Sequence, residues 1–501
     1  MAEFKAARGK RALAGIGALA LAAAGLLGGS TAALADTPEG LNFGNIDENA
    51  SGVINIHKHE HQNGTDATQN PDGSGATIPS DGVAGVEFTA YPLSDINLKN
   101  AADWDLLNDL QGQLTSACSI PGQSLGAPIV SGLTNDAGFT SIDVDTIGAY
   151  LICETDAPDN VVDRALPFVV TIPFPWDNGW LYEVNVYPKN GLTGIEKTIE
   201  AQEGLGLGAL VKFPVTVTVP LTQGSDLLTK FVIEDVLDPR LANGGVESVT
   251  INGDTVSSDY YTVETSGQNI QVVFNSDGLA WLKGQGQQQI KVVFLGTVDE
   301  IGDGEITNDA TLYANTPNND FDLGSNEVQT NWGNAIIKKV DSANPATVLE
   351  GAVFEVYEAA NPYATTCAAE LTDPANRITV GGATEFTSTE NGIIEILGLF
   401  VSDSENPSTN ALQRCYVLKE IKAPAGFVTP EGDAALTALT VKTGQTAEID
   451  VQITNAQQEV PELPLTGAQG QILMIIGGTA VLLIAGGLVV MNRRRAAADN
   501  S

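Results

Sequence analysis

The chain has 501 residues and a formal net charge of −38, with 62 acidic side chains against 24 basic ones. A body this acidic excludes nucleic acid and anionic lipid as natural partners and favours a soluble, self-repelling particle. One hydrophobic core cannot serve such a length, so several domains are expected.

Lys5, Arg8, Lys10 and Arg11 precede an apolar run, Ala12 to Gly28, and an Ala33-Leu34-Ala35 cleavage site. This reads as a secretory signal over 1–35, with the mature chain starting near Asp36. Export makes two disulfides the simplest use of four cysteines. Three pairings are open, and proximity in sequence favours Cys118–Cys153 and Cys367–Cys415.

From 36 to 456 the texture is short β-branched runs separated by Gly, Asn, Asp and Pro turns, as in Val53-Ile54-Asn55-Ile56 and Val215-Thr216-Val217-Thr218-Val219. The pattern predicts an all-β chain of tandem Ig-like sandwiches. One helix is predicted, Ala101–Leu114, as an insertion in the first domain. The run Gly85 to Tyr91 recurs as Gly351 to Tyr357, and Tyr150 to Pro158 as Tyr416 to Pro424. The first and third domains, 36–190 and 333–456, are thus expected to be homologous, with a different sandwich over 191–332. A Pro-containing linker, 457–467, follows.

Side chains alternate across a strand, so an inward lysine is informative. Lys58 shares a face with Ile54 and Ile56, Glu154 with Tyr150 and Ile152, and Asn190 with Val184, Val186 and Pro188. In the middle domain Lys197 lies with Ile195, Asp235 with Phe231 and Ile233, and Asn308 with Ile306, Ala310 and Leu312. In the third, Lys339 lies with Ile337, Glu420 with Tyr416 and Leu418, and Asn455 with Val451 and Ile453. Unpaired, each buried group costs several kcal/mol, so the members of each set should meet. Periodicity leaves two outcomes: a hydrogen-bonded polar triad, or attack of a neutral lysine on the Asn carboxamide, assisted by the acid, to give an isopeptide bond and ammonia. The first set is the less regular, because the helical insertion interrupts its register. Lys189, by alternation from Val184 and Val186, is expected to face solvent.

His57, His59 and His61 alternate on one strand, which suits either a zinc or nickel site or a plain solvated face. Asn315–Asp322 reads as a calcium loop or as an acidic turn. The expectation is no cofactor and no resident metal. No Ser/His/Asp set, phosphate loop or paired-carboxylate cleft is visible, so enzyme activity is not expected beyond self-crosslinking.

At the C-terminus, Leu463-Pro464-Leu465-Thr466-Gly467 precedes a twenty-residue apolar stretch, Ile472 to Met491, and Arg493-Arg494-Arg495. Twenty helical residues reach roughly 30 Å, enough to span a bilayer, and the arginines set the tail, within 468–501, on the cytoplasmic side. These three elements resemble the LPxTG sorting signal of Gram-positive surface proteins. Trp180-Leu181-Tyr182-Glu183-Val184-Asn185-Val186-Tyr187-Pro188-Lys189 matches the pilin motif WxxxVxVYPK, and Tyr416 to Phe427 resembles the pilin E-box YxLxETxAPxGY, departing at Ile421 and Phe427. Over essentially its whole length the chain resembles the major (shaft) pilins of sortase-assembled fimbriae.

That resemblance implies Cna-type sandwiches, B-like in the first and third domains and A-like in the middle, with Lys–Asn isopeptide bonds promoted by Asp235, Glu420 and Glu154. It implies that a class C sortase holds Thr466 as a thioester and that Lys189 of an identical subunit resolves it. A housekeeping sortase then passes the polymer to peptidoglycan. Accessory pilins and a host ligand, which the sequence does not name, complete the implied partners. A monomeric wall-anchored adhesin, with Lys189 inert, is the alternative.

Overall fold

The computed structural model describes residues 45–61, 69–177, 179–405 and 411–459, and single helical positions at Ile475, Leu482, Ile484 and Leu488. The expected signal over 1–35, the sorting peptide Leu463–Gly467 and the rest of the apolar stretch lie outside the described residues. Among the described residues no helix is long and apolar enough to cross a membrane.

Strands dominate, and they enclose three sandwich cores. In the first, the strand Gly52–His57 runs parallel to Glu183–Val186 and antiparallel to Phe139–Val144. It faces a four-stranded sheet ordered Ile129–Val130, Glu87–Pro92, Gly148–Asp156, Phe168–Ile172. Period-two alternation lets Gly148–Asp156 serve two cores. Tyr150 and Ile152 point into the sandwich with Ile54, Ile56 and Phe88. Ala149, Leu151 and Cys153 point the other way, beneath Trp104, Leu107 and Leu110 of the helix Ala101–Gln111. Asn100 caps that helix by accepting from the Ala102 amide. It stops at Gln111, short of the predicted Leu114, where Gly112 follows. Cys118–Cys153 pins the segment after the helix to this sheet, and Cys367–Cys415 is the second disulfide.

The middle sandwich packs two five-stranded antiparallel sheets around Phe213, Phe231, Phe294 and their aliphatic neighbours. The third has Val328–Asp341 at its centre. This strand pairs with Glu305–Asn308 and Ile393–Asp403 antiparallel and with Val451–Asn455 parallel. Val328 and Trp332 complete the middle core, while Ala335 and Ile337 belong to the third. The chain therefore passes the expected 332/333 boundary within one unbroken strand.

A glycine-rich loop ties the same two cores together. Leu205 and Leu207 pack against both, while the Phe400 amide donates to Leu205 O and the Gly381 amide to Leu207 O, at 2.9 and 2.7 Å. A Cβ on Gly206 would sit 2.2 Å from the Thr379 carbonyl oxygen, a backbone clash that no rotamer relieves. Gly206→Ala is expected to cost about 1–3 kcal/mol and to speed proteolysis at this junction. Unchanged digestion kinetics would show that the loop is not a structural tie.

Candidate functional site

Each sandwich buries a lysine, an acid and an asparagine against one another. In the first, Lys58 lies directly after the strand Gly52–His57, Glu154 is on Gly148–Asp156, and Asn190 is on Lys189–Leu192. Lys58 Nζ donates to Glu154 Oε2 at 2.7 Å and also to Asn190 Oδ1. Asn190 Nδ2 donates to Glu154 Oε1 at 2.8 Å. The carboxylate thus bridges the two nitrogens, one oxygen to each.

The third sandwich repeats this geometry. Lys339 Nζ is 2.9 Å from Glu420 Oε2, and Asn455 Nδ2 is 2.8 Å from Glu420 Oε1. In the middle one, Asp235 Oδ2 alone accepts from both Lys197 Nζ, at 2.5 Å, and Asn308 Nδ2, at 3.3 Å. Lys197 Nζ also donates to Asp309 O, and the Asn326 side chain holds both backbone polar groups of Lys197. The shorter Asp side chain leaves its Oδ1 buried with no partner among the described residues.

All three lysines are fully buried. Burial pushes each amine below the ordinary lysine range, more strongly than the adjacent carboxylate holds it up. Burial likewise pushes the Asp235 carboxyl upward. Neutral amine beside carboxamide, in a site closed to water, is the state that nucleophilic attack on the amide carbon requires. Each Nζ also lies 5.3–5.5 Å from an aromatic ring: Phe88, Phe213 or Phe354. Alternation alone did not single out these rings, although Phe88 and Phe354 stand at equivalent places in the recurring Gly85 and Gly351 runs.

Lys189 departs from its expected exposure. It is only 8% exposed. Alternation counted from Val186 fails because Tyr187 and Pro188 interrupt the strand. A new strand, Lys189–Leu192, begins at the lysine and is flanked by His59–Glu60 on one side and Val161–Asp163 on the other. The remaining motif residues are packed: Trp180 tilts against Trp104 of the helix, ring centroids 5.8 Å apart, and Tyr187 stacks on His57 at 4.9 Å. The E-box Tyr416 hydroxyl donates to the Phe400 carbonyl.

The three histidines do not converge. His57 pairs with Asn185 Oδ1, His59 with Ser80 O, and His61 lies 3.6 Å from Asp163. In the Asn315–Asp322 turn, Asn315 bonds Asp320 and the Phe321 amide, and Asn319 reaches Val162 O on the strand Val161–Asp163. Among the described residues no group of His, Cys, Asp and Glu is arranged to hold a metal.

Residues 49–191 match the family described as Gram-positive pilin subunit D1, N-terminal domain, and residues 455–497 match the LPXTG cell wall anchor motif. The fimbrial subunit type 2 of Actinomyces naeslundii is 39% identical over 94% of each chain. The fimbrial subunit type 1 of Actinomyces viscosus is 29% identical over 94% of this chain and 95% of its own. The full-length major pilin SpaD of Corynebacterium diphtheriae superposes with a TM-score of 0.68 at 28% identity, over 83% of this chain and 99% of that one. The anchor motif makes the chain a sortase substrate bound for the cell wall. The chain belongs to the Gram-positive fimbrial subunits: it is a structural, wall-anchored major pilin, not an enzyme.

Proposed function

We propose that this pilin forms the shaft of a covalent fimbria, joined subunit to subunit by an isopeptide bond between Thr466 and Lys189 and welded internally by Lys58–Asn190, Lys197–Asn308 and Lys339–Asn455 bonds. The observation that carries this reading is the threefold recurrence of a fully buried lysine hydrogen-bonded to an acid that also holds an asparagine amide. A noncovalent triad of this kind earns little stability against hydrophobic packing. As a reaction site it has each component in reach.

A class C sortase would acylate at Thr466, and Lys189 of the next subunit would resolve the thioester. Repetition with one interface gives a head-to-tail, open filament, which a housekeeping sortase transfers to peptidoglycan. Accessory pilins and a host ligand complete the proposed partners. Because Lys189 is covered, its attack requires the sortase to engage and expose the strand Lys189–Leu192. Intact-mass measurement tests the welds: with both disulfides formed, the secreted chain should be lighter than its sequence by three ammonia molecules. A full calculated mass would refute all three.

A further inference from the structure

The amide oxygen of Asn190 has a partner that its counterparts lack. Asn308 Oδ1 and Asn455 Oδ1 are buried and accept no hydrogen bond among the described residues. Asn190 Oδ1 accepts one from the backbone N–H of Ala165, at 2.9 Å, besides its contact with Lys58. Ala165 is 7% exposed and lies in the turn between the strands Val161–Asp163 and Phe168–Ile172. Its N–H also reaches Glu154 Oε2, at 3.3 Å.

Glu154 is occupied mainly with the two reacting nitrogens. Its Oε2 holds Lys58 Nζ and its Oε1 holds Asn190 Nδ2, so it spans the attacking and leaving nitrogens. When Nζ adds to the amide carbon, negative charge gathers on Oδ1, where a fixed donor in a dry site is most effective. We infer that the Ala165 backbone N–H is the oxyanion donor for crosslinking the first domain, leaving Glu154 free to move the proton. This rests on the proposed Lys58–Asn190 bond. In that step the Nζ–Cγ bond forms, a proton passes from Nζ through the carboxyl to Nδ2, the Cγ–Nδ2 bond breaks, and ammonia leaves.

The test replaces Ala165 with lactic acid during in vitro synthesis of the full chain in detergent. The N–H becomes an ester oxygen and the side chain is kept. Linkage is followed by peptide mass spectrometry of acid-quenched time points. Lys58–Asn190 should form roughly 10²-fold more slowly in the ester chain, with Lys197–Asn308 and Lys339–Asn455 unaffected. Ala165→Gly, which keeps the N–H, should behave as the parent. Linkage at the parental rate in the ester chain overturns the inference. Should the ester prevent folding, the unmodified chain still decides: Lys58–Asn190 must form ahead of Lys339–Asn455, which has the same bridging acid but no amide-oxygen donor, and the reverse order overturns it. Formation of the other two links without any Lys58–Asn190 link in the unmodified chain would instead sink the reading beneath it.

Discussion

Lys189→Ala should reduce the fimbrial ladder, resistant to boiling in detergent, to a single monomer band while leaving the amount of pilin on the wall similar. The lysine is the nucleophile of the proposed subunit linkage, and Lys58, beside its pairing partner His59, is buried against Glu154 and Asn190. The strand it begins is hydrogen-bonded on both sides, so a displaced lysine elsewhere would not meet the same acyl group. Anchoring depends on the sorting signal within 455–497, which the substitution does not touch. Loss of polymer should therefore be all-or-none. A ladder of normal length in Lys189→Ala would favour the monomeric-adhesin reading or another acceptor amine.

Lys197→Ala and Lys339→Ala should have the opposite signature, with polymerisation kept and robustness lost. Two effects act in the middle sandwich. Removing the lysine leaves Asp235, which is fully buried, without the nitrogen that hydrogen-bonds it, a change that typically costs about 1–3 kcal/mol. It also removes a covalent closure. Lys197 and Asp309, next to Asn308, are 112 residues apart, and closing a loop near that size stabilises by about 4–5 kcal/mol in the chain-entropy treatment. The two overlap and do not simply add. A melting transition about 10–20 °C lower is the scale expected, with faster trypsin digestion. Asp235→Asn should leave Lys197 and Asn308 unlinked in a chain of nearly parental size, separating loss of the bond from loss of the side chain. Parental melting in Lys197→Ala would mean that no bond closes this sandwich.

The placement of the proposed welds suits tension. In the third sandwich the first and last strands, Val328–Asp341 and Val451–Asn455, are parallel. Pulling one at its start and the other at its end loads them in shear. A Lys339–Asn455 bond would carry that load directly and spare every residue between. A Lys197–Asn308 bond would do the same in the middle sandwich. The first sandwich lies off this path, since force enters at Lys189. There the Lys58–Asn190 bond would have a different use, anchoring the residue next to the loaded lysine to the opening strand.

How much of this the sequence disclosed depends on strand continuity. Alternation brought Lys339, Glu420 and Asn455 into one interior because their strands are unbroken over the relevant residues. The same rule misjudged Lys189, where Pro188 resets the strand. The 332/333 boundary showed no break in the structure because no Gly- or Pro-rich linker was needed: one apolar strand completes two cores in turn. The helix end was missed by one turn because Leu114, although partly buried against the helix core, lies beyond Gly112. Ala165 had no signature to read, since it acts through a backbone N–H that every residue but proline carries. The bridging of two nitrogens by Glu154 and Glu420, and by a single oxygen of Asp235, depends on side-chain reach and emerges only in three dimensions.

In the proposed fibre a buried lysine closes each sandwich while Lys189 joins one subunit to the next. Peptide mapping of fimbriae stripped from the cell surface tests it most directly. A branched peptide joining the Thr466 carbonyl to the Lys189 side chain, together with the Lys58–Asn190, Lys197–Asn308 and Lys339–Asn455 crosslinked peptides, is the predicted result. Lys189 recovered with a free amine in every copy would contradict it.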